Sequence, residues 1–187
     1  MCDRFTKDIQ YLEQVKKAAF MLKHPNIHTL LNVDYHDAME EIKYKRIFFT
    51  GPIDVFFDQE HGALPYRSLR FEFDTLMQER SQAVGTVNYP NEYDFTRITE
   101  QKILTGDTSS LTTLCKEYPQ AYTAGENDPY YPIPRAENQA LYKRYRTEAD
   151  KLKGSVVFAG RLADYIYYNM DQVVARALKV FESEVVL

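Results

Sequence analysis

Val156-Val-Phe-Ala-Gly-Arg-Leu-Ala-Asp-Tyr-Ile-Tyr-Tyr-Asn-Met-Asp171 is the stretch on which the reading of the fold turns. Its first four residues are an apolar run, which predicts a buried strand over Val156–Ala159. Gly160 interrupts the run, a tyrosine-rich turn follows, and a helix is expected to open near Asn169. A strand that ends in glycine and feeds a helix N-terminus directs backbone N–H groups and a positive dipole end toward one spot. Such a spot suits an anion or an electron-rich ring. Arg161 adds a fixed positive charge there, and Tyr165, Tyr167 and Tyr168 add phenols that can stack or hydrogen-bond. The pattern is only moderately specific, because most glycines between a strand and a helix simply make the turn.

Working backward, Ile47-Phe-Phe-Thr-Gly-Pro52 reads as a second buried strand ending in glycine and proline, with a short helical turn at Asp54–Phe57 after it. The segment between the two apolar strands has another character. Tyr66–Phe73 alternates charged or polar with apolar residues, the pattern of a half-exposed strand. Ala83–Tyr89 and Phe95–Ile98 read the same way across a Pro90-Asn91 turn, and Leu111–Tyr118 is a further strand ended by Pro119. With no helix between them, these strands are expected to pair as an antiparallel sheet joined by hairpins. Residues 123–134, with Gly125, Asn127, Asp128 and three prolines around Tyr130-Tyr131, read as a structured loop. Leu141, Tyr145, Ala149 and Leu152 mark a helix over about 136–152, and Met170, Val173, Val174, Ala177 and Phe181 mark the last one.

At the N-terminus, Phe5, Ile9, Leu12, Val15, Ala19 and Leu22 recur at helical spacing and predict an amphipathic helix over 5–23, stopped at His24-Pro25. Ile27–Val33 reads as a short strand and Asp37–Ile42 as one or two helical turns. The fold class that results is α+β with α/β character: an antiparallel sheet inserted between strands and helices of an incomplete Rossmann-like domain. The expected division is 1–60 for the first helix and strands of that domain, 61–135 for the antiparallel sheet, and 136–187 for the returning helix-strand-helix. No Gly-x-Gly-x-x-Gly follows any strand, so the element that would hold a dinucleotide pyrophosphate is missing.

Composition narrows the function classes. The 187 residues carry a net charge of -4, which argues against a general nucleic-acid grip. The apolar runs fall well short of a membrane span, and Met1-Cys-Asp-Arg4 is no signal peptide. Cys2 and Cys115 make neither a disulfide framework nor a metal site, and fit a cytoplasmic protein with reduced thiols. There are 15 Tyr, 11 Phe and no Trp. Tyrosine is apolar in body and hydrogen-bonding at its tip, so this balance favours a site for a polar, ring-containing ligand, although satisfied core tyrosines account for most of them.

Six separated words carry a resemblance: Thr50-Gly-Pro-Ile-Asp54, Gly62-Ala-Leu-Pro-Tyr-Arg-Ser-Leu-Arg70, Phe95-Thr-Arg-Ile-Thr-Glu100, Lys116-Glu-Tyr-Pro119, Pro129-Tyr-Tyr-Pro132, and Gly160-Arg-Leu-Ala-Asp-Tyr165 with Tyr167-Tyr-Asn-Met-Asp171. Together, in this order and from about residue 20 to the end, they resemble the C-terminal half of the UDP-galactopyranose mutase family; residues 1–19 match poorly. The resemblance implies a flavoenzyme that interconverts UDP-galactopyranose and UDP-galactofuranose on reduced FAD, by covalent catalysis in which the cofactor carries the hard chemistry. It implies that Arg97 and Tyr167 serve catalysis by holding the diphosphate as it departs, and that Arg97, Tyr130, Tyr131, Tyr167 and Asn169 face the UDP-sugar. It also implies that Thr50, Gly51, Gly160, Arg161, Met170 and Asp171 face the FAD. On residue type alone, Arg97 is an exposed sheet arginine, Gly51 a strand terminator, and the Tyr-Tyr pair a loop anchor as readily as a ligand contact.

The chain also departs from the family's pattern. Asn169 stands where relatives usually carry aspartate, which removes a carboxylate but keeps a good helix cap. Ile166 replaces what is often a basic residue. The family's N-terminal flavin fingerprint, its mobile substrate loop with an arginine, and any uridine-stacking tryptophan have no counterpart here. Whether this chain acts as an enzyme is thus open, and alone it is expected to be inactive and not to bind FAD. The alternatives are a self-associating, non-catalytic fragment that dimerises through an open half-site, and a nucleotide-sugar binding module.

Overall fold

A computed structural model describes residues 20–185. The predicted helix over 5–23 lies outside the described residues except at its end, where Phe20–Leu22 are helical and the helix stops before His24-Pro25. The rest contains both helices and strands, an α+β arrangement in which antiparallel pairing dominates. Contacts divide it into two compact units. One comprises residues up to Lys43 together with Phe71–Tyr118, and the other Tyr44–Arg70 together with Pro119 onward.

The second unit holds the two apolar strands. β1 (Ile47–Phe49) and β7 (Val156–Phe158) pair in parallel, Ile47 with Val156 and Phe49 with Phe158. The run from Ile47 to Pro52 is neither wholly strand nor wholly buried. It ends at Phe49, and Phe48 points outward, because a strand's side chains alternate between faces. The inward rings Phe49 and Phe158 meet Phe56 at 5.0 and 4.9 Å, both edge-to-face. Phe56 closes the short helix α1 (Ile53–Phe56), one residue earlier at each end than expected. Gly51 is required by this packing: a Cβ there would lie 2.8 Å from Phe49 Cζ. Helix α2 (Ala136–Lys151) contributes the fully buried Tyr145, whose hydroxyl donates to Gly62 O at 2.7 Å and accepts from His61 N–H at 3.1 Å.

β2 (Tyr66–Leu76) and β5 (Thr112–Ala121) run through both units. In the second unit β2 pairs antiparallel with β6 (Tyr131–Pro132), so the loop expected over 123–134 contains a two-residue strand. In the first unit β3 (Thr86–Asn88) pairs with β4 (Arg97–Glu100), and β4 with β5, all antiparallel. The strand order β3-β4-β5-β2-β6 is not the serial meander expected, since β2 lies beyond β5 rather than beside β3. A short helix, α3 (Gln101–Thr105), also intervenes between β4 and β5, closed by Gly106 at φ 73°. β5 continues through Pro119 instead of ending there. Its register with β4 stops at Glu117, so the proline's missing N–H removes no bond from that ladder.

Two further expectations fall in the first unit. Asp37–Ile42 is helical as α4 (Tyr35–Glu41), capped by the Asp34 carboxylate, which accepts from His36 N–H at 2.9 Å. The strand expected at Ile27–Val33 does not form. Asn32 takes a left-handed φ of 57° one residue before the end of the run, and the run's apolar residues are exposed with no paired strand among the described residues. Apolar content suggested a strand there, but a strand needs a partner edge.

Glu100, at the end of β4, is completely buried. Its carboxylate accepts from Ser81 N–H at 2.9 Å, Gln82 N–H at 2.6 Å and the Thr112 hydroxyl at 2.6 Å. Burial alone would raise its pKa, but these three donors and the Arg80 charge outweigh it and hold the carboxyl below its ordinary 4.5. The buried Lys102 ammonium donates to the Ser109 and Leu111 carbonyls, which fixes the turn into β5.

Candidate functional site

The last helix, α5 (Met170–Glu184), begins where the sequence predicts. Asn169 caps it, and its own N–H donates to the Gln172 side chain at 2.8 Å, one arm of a capping box. Between β7 and α5 lies the tyrosine turn. Gly160 opens it at φ 105°, a backbone state that L side chains rarely adopt. Its Cα faces Thr50, and a Cβ there would stand 3.8 Å from Thr50 Cβ. The C-terminal ends of the two parallel strands thus come together, the edge at which open α/β sheets bind ligands.

Tyr165 plugs the turn into the core. It is a non-glycine residue at φ 51° and wholly buried, with a hydroxyl that donates to Pro65 O at 2.7 Å and accepts from Ile133 N–H at 3.3 Å. Its ring stacks on Tyr142 at 5.7 Å and meets Tyr66 edge-on at 5.4 Å. Such filled contacts offset the cost of the left-handed backbone. Of the three phenols singled out in the turn, this one is structural; burial pushes its pKa up.

Arg161 and Tyr167 are held differently. The guanidinium carbon lies 5.3 Å from the Tyr131 ring centre and 5.2 Å from that of Tyr167, and the two rings stack on each other 5.2 Å apart at 28°. Arg161 Nη2 donates to Tyr168 O at 2.6 Å and Nη1 to Tyr130 O at 3.4 Å. Cation–π contacts of this kind are worth about 0.5–1 kcal/mol each near a surface. Two of the five guanidinium N–H groups are used by the Tyr168 and Tyr130 carbonyls, which leaves others for an anion. No carboxylate pairs with Arg161 among the described residues, so its charge is not neutralised from within. Tyr167 is 55% exposed and Tyr131 half-buried, which leaves the stack accessible.

The structure therefore gathers Tyr130, Tyr131, Arg161 and Tyr167 at one place, with Gly160 and Thr50 at the adjoining strand ends and Asn169, Met170 and Asp171 at the start of α5. Gly51 follows Thr50 but is explained by its approach to the Phe49 ring. Arg97 belongs to the first unit, where it is partly exposed on β4. Its Nε donates to Asn88 Oδ1 at 3.1 Å, and its Nη1 stands 3.6 Å from a Glu117 oxygen. Sequence reasoning missed the carboxylates that organise this region. Asp54, almost fully buried, accepts from Leu64 N–H at 2.9 Å and from the Tyr66 hydroxyl at 3.4 Å; burial raises its pKa. Asp164 is the other. Both lie inside words that carried the resemblance, but nothing in their spacing marks them as buried. No cluster of His, Cys, Asp or Glu suited to a metal occurs among the described residues, and no described helix is long and apolar enough to cross a membrane.

Comparison with known proteins finds sugar-nucleotide mutases among the relatives of this chain. A probable UDP-galactopyranose mutase of Klebsiella pneumoniae is 38% identical over 159 residues, 83% of this chain and 40% of the relative. A dTDP-fucopyranose mutase of Escherichia coli is 33% identical over 166 residues, 85% and 44% of the two chains. A UDP-galactopyranose mutase of Mycoplasma genitalium is 36% identical over 140 residues, 72% and 34%. The family model described as UDP-galactopyranose mutase matches residues 11–167, and the chain belongs to that family. The match begins earlier than residue 20 and stops short of α5. The chain spans between 34% and 44% of the length of these curated relatives.

Proposed function

We propose that this chain contributes one wall of a sugar-nucleotide mutase site, in which Tyr130, Tyr131 and Tyr167 receive the diphosphate of UDP-galactose and Arg161, which the resemblance sets beside the flavin, also lends its charge to that diphosphate. The carrying observation is the guanidinium held against two stacked phenols, charged and without a carboxylate partner among the described residues. Asn169 supplies a polar contact at the head of α5; Arg97, on β4 of the first unit, is by the resemblance alone a further diphosphate arginine. The activity belonging to this reading is the interconversion of UDP-galactopyranose and UDP-galactofuranose. In the same reading, residues 61–135 form the substrate region inserted into an incomplete Rossmann-like FAD domain made of 1–60 and 136–187.

The residues around the β1 and β7 ends fit a flavin in part. Thr50 and Gly160 keep the strand ends free of bulk, and the Met170-Asp171 end of α5 offers an exposed thioether and a dipole end for a ring and its anion. A glycine-rich cradle for a dinucleotide pyrophosphate is not part of this set. FAD, when bound, supplies the electron-rich centre that takes the sugar at its anomeric carbon. This chain's part is to hold the diphosphate, orient it and stabilise its charge as it leaves. Catalysis by the isolated chain is not expected.

Titration with UDP, followed by tyrosine fluorescence, tests the reading. A saturable change that inorganic pyrophosphate competes away is expected, and dTDP in parallel reports how far the base matters. Absence of saturation at millimolar UDP overturns it.

A second reading, self-association, is favoured by one feature of α5. Met170, Val174, Leu178, Phe181 and Val185 recur along one side of the helix and are all more than half exposed. Burial of such a stripe against a second copy gives a homodimer. Sedimentation across a hundredfold concentration range is expected to show a rising mass, and a constant monomer mass rules it out.

A further inference from the structure

Asp164 and Arg176 have no place in the diphosphate reading, yet they are the most densely bonded charges in the second unit. Asp164 is 6% exposed. Its Oδ2 accepts from Gly160 N–H at 3.1 Å, from the Tyr168 hydroxyl at 3.2 Å and from Arg176 Nε at 2.9 Å. Its Oδ1 accepts from Arg176 Nη2 at 3.0 Å, and the same nitrogen donates to Phe158 O at 3.3 Å. One carboxylate therefore ties the residue before Arg161 to the residue that ends the turn. Tyr168 is also the residue whose carbonyl holds Arg161 Nη2. The clamp reaches from the end of β7, across the turn, to the second turn of α5.

The charge arithmetic matters as much as the geometry. A buried carboxylate this close to Arg161 would attract it and cancel the charge an anion needs. Arg176 prevents that by meeting Asp164 with a two-nitrogen fork, and each partner satisfies the other's desolvated atoms. Arg161 is left with two carbonyls and two ring faces.

We propose that Asp164 and Arg176 form a charge-neutral clamp that positions Arg161 against the stacked Tyr131 and Tyr167 rings, so that α5 and the anion-receiving turn are set by one ion pair. Both are positioning residues and neither touches the ligand. Only the ligand consequence rests on the diphosphate reading. The positioning itself has an independent observable, because the Arg161 guanidinium carbon lies 5.3 and 5.2 Å from two aromatic ring centres, so that the side-chain protons carry ring-current shifts.

The test is side-chain NMR of the isotopically labelled chain, with the Arg161 signals assigned by their loss in Arg161→Ala. In folded Asp164→Asn those signals are expected to move toward the positions of an exposed arginine, and in Arg176→Lys to move part of the way. UDP affinity is expected to fall about tenfold or more in Asp164→Asn, as when groups that only orient a binding residue are removed. Tyr145→Phe, which loosens the core elsewhere, is expected to lower stability and leave the Arg161 signals in place. If Asp164→Asn does not fold, the part-exposed Arg176→Gln gives the same readout. Unmoved Arg161 signals in a folded clamp variant overturn the proposal. A wild-type chain that does not bind UDP overturns the diphosphate reading instead, and the signals still decide the clamp.

Discussion

Arg161→Ala is expected to raise the dissociation constant for UDP by roughly thirtyfold or more, with little loss of fold. The size follows from the contact at stake: a charge-assisted hydrogen bond to an anion is worth about 1.5–3 kcal/mol, and each 1.4 kcal/mol is a factor of ten. Stability should change little. The arginine's internal bonds go to two carbonyls, and the turn remains fastened by Tyr165 and by Asp164. Arg161→Lys separates charge from shape. An ammonium keeps the attraction but cannot present two parallel N–H groups beside the Tyr131–Tyr167 stack, so it should recover only part of the affinity. Calorimetric titration of the three proteins with UDP measures this directly. Equal affinities for wild type and alanine variant would remove Arg161 from the site.

The largest loss of stability is expected far from that stack, at Glu100. Glu100→Ala leaves the part-buried backbone N–H groups of Ser81 and Gln82 and the buried Thr112 hydroxyl without their acceptor. Each orphaned donor costs about 1–3 kcal/mol, so a total of about 2–4 kcal/mol is expected after the site relaxes. Urea unfolding at neutral pH reads this as a lower midpoint at unchanged slope. The acid dependence has a definite sign. A carboxyl whose pKa is lower in the folded protein stabilises it above the unfolded value, and that contribution is lost as pH falls through the folded value. The gap between wild type and Glu100→Gln should therefore be largest near neutrality and narrow below about pH 4.5. A gap independent of pH would show that Glu100 acts through shape alone.

Both residues show what the sequence discloses and what it hides. Period and punctuation located most elements: the alternation at Tyr66–Phe73, the Val156 run, the glycine stop at 160 and the cap at Asn169 all reflect local rules that one segment satisfies alone. Pairing is different. That β2 lies beside β5, or that Ile27–Val33 finds no partner strand among the described residues, depends on residues distant in sequence, and apolar content carries no trace of it. At the site, Arg161 and Tyr167 were legible as a charge and a phenol near a helix start, and Tyr131 as one of a tyrosine pair in a loop, reinforced by family words. Tyr165 looked the same as its neighbours in the string, and only burial separates it as a plug. Asp54, Glu100 and Asp164 read as ordinary solvated acids. Their importance comes from donors that the fold delivers to them from elsewhere in the chain.

The parallel pairing of β1 with β7 has a temporal side. The partners of Ile47–Phe49 are more than a hundred residues downstream, and chain synthesis proceeds at about 5–20 residues per second. The first of these strands therefore leaves the ribosome on the order of 5–20 s before the one it joins. During that interval Phe48 and Phe49 stand on an unpaired edge while the segment between can already form local hairpins. A nascent chain halted before Val156 should thus be the species most dependent on a holdase, and release of that dependence should coincide with emergence of Phe158 rather than with completion of any intervening strand.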